Sequence, residues 1–306
     1  MTRRQIEKAL QNKLEKWCAS IDNPLLVEAI KKDVIFTGGC ITSFLLGVAV
    51  NDYDVYFATY DTAIAVAGHY ALKFQETPTR RFCERLNQKF RIEIVEQKDK
   101  DGKVTKEGFE IQVVPEGDPI ADSIFSKEFI DWVENVTRER DEDAINAPFR
   151  PIYISPQAVS LSGANPEDFA GIQIVTRFFG SPDVIHSNYD FVHCTNYWTP
   201  EGGLVLRPEA IESTLIKRLS YVGSKYPLCS LFRIRKFVKR GWEIDAGQIL
   251  KAALQVADLD WDDPEVVRQQ CIGVDTRHFE DMLEKLEGIE GSVKDAIPAI
   301  VDEIWQ

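Results

Sequence analysis

Two aspartates, Asp52 and Asp54, stand one residue apart in "NDYDVYF", and two glycines, Gly38 and Gly39, precede them across a twelve-residue spacer. Along a strand successive side chains alternate faces, so Asp52 and Asp54 point the same way with about 7 Å between their backbones. Hard carboxylate oxygens at that spacing suit Mg²⁺ or Mn²⁺, whose shells are completed by water and substrate phosphates. Two-metal phosphoryl-transfer sites hold their ions about 3.5–4 Å apart, and one carboxylate can bridge them. Gly38 and Gly39 match this chemistry. Without Cβ atoms the chain turns sharply and brings its amides close to a phosphate. A helix starting there adds free N–H donors and a favourable dipole. Thr42 or Ser43 adds a hydroxyl. The stretch therefore offers a triphosphate cradle at one end and metal ligands at the other.

These residues need two strands and a turn to hold them. "DVIFTGG" is an apolar, β-branched run ended by glycines and predicts a buried strand; "ITSFLLGV" predicts a short helix. "DYDVYF" predicts a second strand with Tyr53, Val55 and Phe57 facing inward. The flanking segments "MTRRQIEKALQNKLEKW", "PLLVEAIKK" and "YDTAIAVAGHYALKFQ" carry helical spacing, the last capped by Asp61 or Thr62. "FRIEIVEQ" and "FEIQVVPE" alternate like the strands of a hairpin, with an Asp-Gly turn between them. "SKEFIDWVENV" reads as a helix and "TRERDEDA" as a solvated loop. "PIYISPQAVSL", "GIQIVTRFFG" and "YDFVHCTNYW" resume the strand pattern. From Pro208 onward the period becomes helical, with five segments bounded by Gly, Pro and Asp, the fourth being "RHFEDMLEKLEG".

The segment "TGGCITSFLLGVAVNDYDVYF" resembles the DNA polymerase β-like nucleotidyltransferase superfamily, which joins Gly-Gly or Gly-Ser, a spacer of this length, and Asp-x-Asp on a second strand. Residue 172 to about residue 242 also resembles nucleotidyltransferase-fold proteins of tailed phages. The fold implied is α+β: a nucleotidyltransferase palm, a mixed sheet with flanking helices, over residues 1–206, then a C-terminal helical domain over residues 207–306. The activity implied is transfer of a nucleoside monophosphate from an NTP, ATP first, to a hydroxyl. The superfamily adds a third carboxylate from a later strand. Asp190 in "SNYDFVHC" is the first choice, ahead of Glu93 and Glu110, which read as the outer face of a hairpin. Cys40 departs from the pattern, because many members carry a hydroxyl there.

The net charge of −13 argues against a general nucleic-acid coat. It conceals a basic block. Residues 207 to 242 hold nine Lys or Arg against two Glu, and residues 243 to 306 hold five against sixteen Asp or Glu. Tyr221, Tyr226, Phe232 and Phe237 lie among the cations. Cations interleaved with aromatics can grip a phosphate backbone and stack a base, and equally they can be the two faces of a helix pair. Helical domains in this position complete the nucleotide cleft in the superfamily, which makes Lys217, Lys225 and Tyr226 the contacts for triphosphate or base. RNA or another polynucleotide 3′ end is the first acceptor; a protein or a small molecule is the alternative, and a non-catalytic binding protein on the same fold is the rival. Six dispersed cysteines without a CxxC pair make structural zinc improbable. No apolar run reaches the roughly 20 residues of a membrane span, and the opening residues do not read as a secretory signal. The expected location is cytoplasmic, the host's if the gene is a phage's. His186 and His193 read as structural. No GxGxxG, P-loop or GxSxG signature occurs.

Overall fold

The run Val34–Thr37 is buried at all four positions and forms β1, near the centre of a seven-stranded sheet. The structure is a computed structural model and describes residues 1–76, 90–98, 104–115, 147–155, 157–165, 167–261, 263, 266, 270 and 292–304. The strands are β1, β2 (Asp52–Phe57), β3 (Phe90–Lys98), β4 (Val104–Pro115), β5 (Pro151–Ser155), β6 (Ala158–Leu161), β7 (Gly171–Val175), β8 (Tyr197–Thr199) and β9 (Gly203–Val205). The sheet order is β5-β6-β7-β2-β1-β8-β9, antiparallel except where β2 runs parallel to β7. β3 and β4 form a separate two-stranded antiparallel sheet. The fold is a mixed α+β one.

Helices α1 (Arg3–Ala19), α2 (Pro24–Asp33), α3 (Gly39–Leu46) and α4 (Tyr60–Glu76) supply the flanking layer. A capping box of Thr2 and Gln5 starts α1, and its stripe Ile6, Leu10, Leu14 and Trp17 is buried. Asn23 caps α2 with Pro24 in its first turn. Trp17 Nε1 donates to the Tyr70 hydroxyl at 2.6 Å, tying α1 to α4. Lys13 is buried on α1. Its ammonium donates to Asp168 at 2.9 Å and to the Ala170 carbonyl at 2.6 Å, fixing the chain just before β7.

Two compact units result. The first comprises Met1–Ser187 and Cys194–Arg207; the second comprises Asn188–His193 and Pro208–Gln306. The first also holds α5 (Pro182–His186). Described elements of the second are α6 (Pro208–Leu215), α7 (Pro227–Lys239), α8 (Ala246–Ala257) and α9 (Val293–Ile304), with the short parallel pair β10 (Arg218–Leu219) and β11 (Glu243–Ile244).

Several expectations shift in detail. Helix α3 begins at Gly39 itself. The Thr62 N–H is capped by the Thr59 hydroxyl at 3.4 Å, so Asp61 and Thr62 lie inside the first turn of α4. "YDFVHCTNYW" yields only β8: Phe191 makes an isolated bridge to Tyr221, and Val192–Cys194 is a 3₁₀ turn. The helical run from Pro208 breaks after Leu215. The expected hairpin turn, "SKEFIDWVENV", "TRERDEDA" and "RHFEDMLEKLEG" lie outside the described residues. Among the described residues no helix is long and apolar enough to cross a membrane.

Candidate functional site

The site begins where β1 ends. Gly38 has φ +76° and ψ −148° and occupies the N-cap position of α3 without a side-chain cap. That conformation belongs almost solely to glycine. A Cβ built on Gly38 would stand 2.1 Å from Asp54 Oδ2, so the backbone turn and the carboxylate occupy adjoining space. Gly39 is exposed, and a Cβ there would meet nothing within 4 Å. The first residue of α3 therefore has open space on its side-chain side, and the amides of that turn have no partner within the helix.

Strand β2 carries the carboxylates. Tyr53, Val55 and Phe57 are buried in the core, and by alternation Asp52 and Asp54 take the other face. Asp52 is exposed and Asp54 half-buried. Thr37 of β1 lies opposite Asp54. On the other side β7 places Gly171 opposite Asp52 and Gln173 opposite Asp54.

Cys40 is fully buried on α3, and its thiol donates to the Thr37 carbonyl at 3.3 Å. Burial, then the charges of Asp54 and Asp52, push that thiol well above its ordinary value. It stays protonated and turned inward. Thr42 is also buried, whereas Ser43, one turn beyond Gly39, is half-buried. Ser43 is thus the α3 hydroxyl nearer to solvent.

Behind the turn, the Gly38 N–H donates to the Cys194 carbonyl at 3.1 Å. The buried Thr37 hydroxyl donates to the Asn196 carbonyl at 2.9 Å and lies 2.8 Å from His186 Nε2. With the hydroxyl proton given to the carbonyl, the imidazole is the donor, which puts the proton of neutral His186 on Nε2. Burial, then the Arg207 guanidinium, pushes His186 down to about 4 from an ordinary 6.5. Between those values the unfolded chain takes up a proton that the folded chain refuses. Stability from neutral His186 is therefore whole above about pH 6.5 and is lost as pH falls toward 4. Urea titrations across that window should show stability falling with pH, by up to about 1.4 kcal/mol per unit from this group. The substitution His186→Gln should remove its share and leave that of His193, which burial also pushes down to about 4.

The other expected site residues belong to the second unit. Asp190 lies in a bend, not a strand, and is buried. Its Oδ2 accepts from Arg233 Nη1 at 2.7 Å and from Ser230 Oγ at 3.1 Å. Lys217 has φ +50° and is exposed, as is Lys225. Tyr226 takes the N-cap position of α7, its N–H donating to Ser224 Oγ at 2.9 Å. On α7, Arg235, Lys236 and Lys239 are exposed, as is Arg240 at its end, while Phe237 packs with Phe191, His193 and Trp242. His193 is buried in this aromatic cluster. Glu93 lies on β3 opposite Gln112, and the Glu110 backbone lies on β4 opposite Val95; both are in the separate hairpin sheet.

The structure thus sets Gly38 against Asp54, with Gly39, Thr42 and Ser43 following on α3 and Asp52 two residues before Asp54 on β2. Thr37 and Gln173, the cross-strand neighbours of Asp54, were not among the expected site residues. The Gln between isoleucines in "GIQIV" fits ordinary strand alternation, so the sequence carried no separate signal for it. Among the described residues no three His, Cys, Asp or Glu side chains group closely enough to hold a metal.

A mixed α+β chain with this turn and carboxylate pair matches one known family over residues 8–217. The chain belongs to the Gabija anti-defense 2 family. No curated protein matches it. Solved structures similar to it include the Bacillus stearothermophilus CCA-adding enzyme in complex with CTP, at 11% identity and TM-score 0.39, covering 84% of this chain and 47% of that one. The Thermotoga maritima CCA-adding enzyme complexed with tRNA matches at 14% identity and TM-score 0.35, covering 95% and 53%. A CCA-adding enzyme in apo form matches at 14% and 0.35, covering 91% and 49%. The chain spans about half the length of these structures.

Proposed function

We propose that this chain is a divalent-metal-dependent nucleotidyltransferase that moves a nucleoside monophosphate from an NTP, ATP first, to a hydroxyl acceptor. A polynucleotide 3′ end is the first acceptor, and the transfer serves the family's action against the Gabija defence. The observation that carries this reading is the close approach of Gly38 to Asp54, with a Cβ position only 2.1 Å from the carboxylate oxygen. The turn that opens α3 and one carboxylate of the pair therefore adjoin.

The residues fit Mg²⁺ or Mn²⁺. Two carboxylates on one strand face provide hard oxygens, and the rest of the coordination falls to triphosphate and water. When bound, the metal neutralises charge on the transferring phosphoryl group and lowers the cost of its in-line displacement. Asp52 and Asp54 hold it. The amides of Gly39 and the first turn of α3 face the phosphates, with Ser43 beside them. The acceptor oxygen bonds to the α-phosphorus, the bond from that phosphorus to the bridging oxygen breaks, and pyrophosphate leaves. The hydroxyl proton passes to solvent or to a carboxylate of the pair. Asp190, the earlier choice for a third ligand, has its carboxylate engaged by Arg233 and Ser230. Lys217, Lys225 and Tyr226 are the proposed triphosphate and base contacts of the second unit.

The acceptor is tested through α7. Arg235, Lys236, Lys239 and Arg240 are the residues to replace with Gln, and Arg233 is left alone because it pairs with Asp190. Each lost phosphate contact should lower the log–log salt slope of RNA binding by about 0.7. NTP affinity should be unchanged. Equal RNA binding by this variant and the parent would remove the polynucleotide acceptor. The activity itself is tested with each α-labelled NTP, Mg²⁺ or Mn²⁺, and pooled RNA. Label on RNA is the expected result. Label on protein would shift the acceptor to a protein hydroxyl. Label on a small product would shift it to a small molecule, and no label on RNA, protein or a small product would favour the non-catalytic rival.

A further inference from the structure

Strand β7 runs beside the carboxylate pair and offers it one polar side chain. Gly171, opposite Asp52, has no room for a side chain: a Cβ there would stand 2.1 Å from the Leu161 carbonyl oxygen. Gln173 is opposite Asp54, and Ser160 of β6 is opposite Gln173 in turn. Ile172 and Ile174 are buried, so Gln173 shares the face of Asp54, where it is half-buried. In-register neighbours on adjacent strands lie about 4.8 Å apart.

We infer that Gln173 is a ligand-facing member of the site that couples metal retention to nucleotide binding. This rests on the nucleotidyltransferase reading. A carboxamide beside Asp54 can donate to a triphosphate oxygen, which a carboxylate cannot do. It also leaves the face with two negative charges rather than three. Two carboxylates hold a divalent ion loosely until phosphates complete its shell, whereas a third would retain it without nucleotide. The residue at 173 therefore decides whether the metal arrives with the NTP or resides beforehand.

The test is Mn²⁺ titration of the full chain by electron paramagnetic resonance, with and without ATP, for five proteins: the parent, Gln173→Glu, Gln173→Leu, Asp54→Asn and the double variant Gln173→Glu/Asp54→Asn. Gln173→Glu should bind Mn²⁺ without nucleotide at least about tenfold more tightly than the parent, the effect of one further close negative charge. Adding Asp54→Asn should cancel that gain. Gln173→Leu keeps a similar volume and guards against misfolding of the charged variant. It should weaken Mn²⁺-ATP binding about fivefold, the loss of roughly one hydrogen bond, with nucleotide-free Mn²⁺ binding unchanged. Parent-like behaviour of both Gln173 variants, with Asp54→Asn defective, would overturn the role of Gln173 alone. Parent-like Mn²⁺-ATP binding by Asp54→Asn would overturn the underlying reading and this inference with it.

Discussion

Replacing Asp52 and Asp54 together with Asn is expected to lower nucleotidyl transfer by about a thousandfold or more while the chain stays folded. The metal supplies several kcal/mol of transition-state stabilisation in such reactions, and each 1.36 kcal/mol is tenfold in rate. Asn keeps the shape of Asp, so the close approach of Gly38 to residue 54 survives. Neither carboxylate is in the core; Asp52 is exposed and Asp54 half-buried, on the face opposite Tyr53 and Val55. Removing two like charges from one face also relieves their mutual repulsion. Circular dichroism should therefore match the parent while label transfer is lost. Transfer at the parental rate would place the chemistry elsewhere.

The glycines should part company. Gly38→Ala places a non-glycine residue at φ +76° and ψ −148°, at a backbone cost of about 1–3 kcal/mol, and drives its Cβ against Asp54 Oδ2. Loss of stability and loss of activity should come together, because the carboxylate has to move. Gly39→Ala meets nothing within 4 Å at the first residue of α3, where Ala has less backbone freedom to lose than Gly. Its thermal midpoint should hold or rise, yet NTP affinity should fall, because the new methyl sits where a phosphate approaches the amides. If Gly39→Ala bound NTP as the parent does, the first turn of α3 would not be the phosphate cradle.

What the sequence made legible was local. The apolar run before Gly38 and the alternation of "DYDVYF" marked β1 and β2, because burial on one side of a strand is written into adjacent residues. The partner of β2 was not legible. That β7 pairs with it in parallel, setting Gln173 beside Asp54, follows from which apolar faces meet across the core, and no adjacent residues record it. "YDFVHC" misled because its aromatics alternate as in a strand, yet Phe191 and His193 are buried in a cluster with Tyr221, Phe237 and Trp242. An aromatic cluster satisfies the same hydrophobic pattern without a ladder. Arg233 sits among the nine cations of residues 207 to 242, yet it answers the Asp190 carboxylate, a pairing that exists only in three dimensions.

The most direct measurement of the central claim, that Gly38, Gly39, Asp52 and Asp54 form one metal-dependent nucleotide site, is calorimetric titration of ATP into the parent chain with Mg²⁺ and then with EDTA. Two carboxylates facing a bare triphosphate repel it, so the account predicts binding in Mg²⁺ and at least about a tenfold loss of affinity in EDTA. The same affinity in both conditions would contradict it.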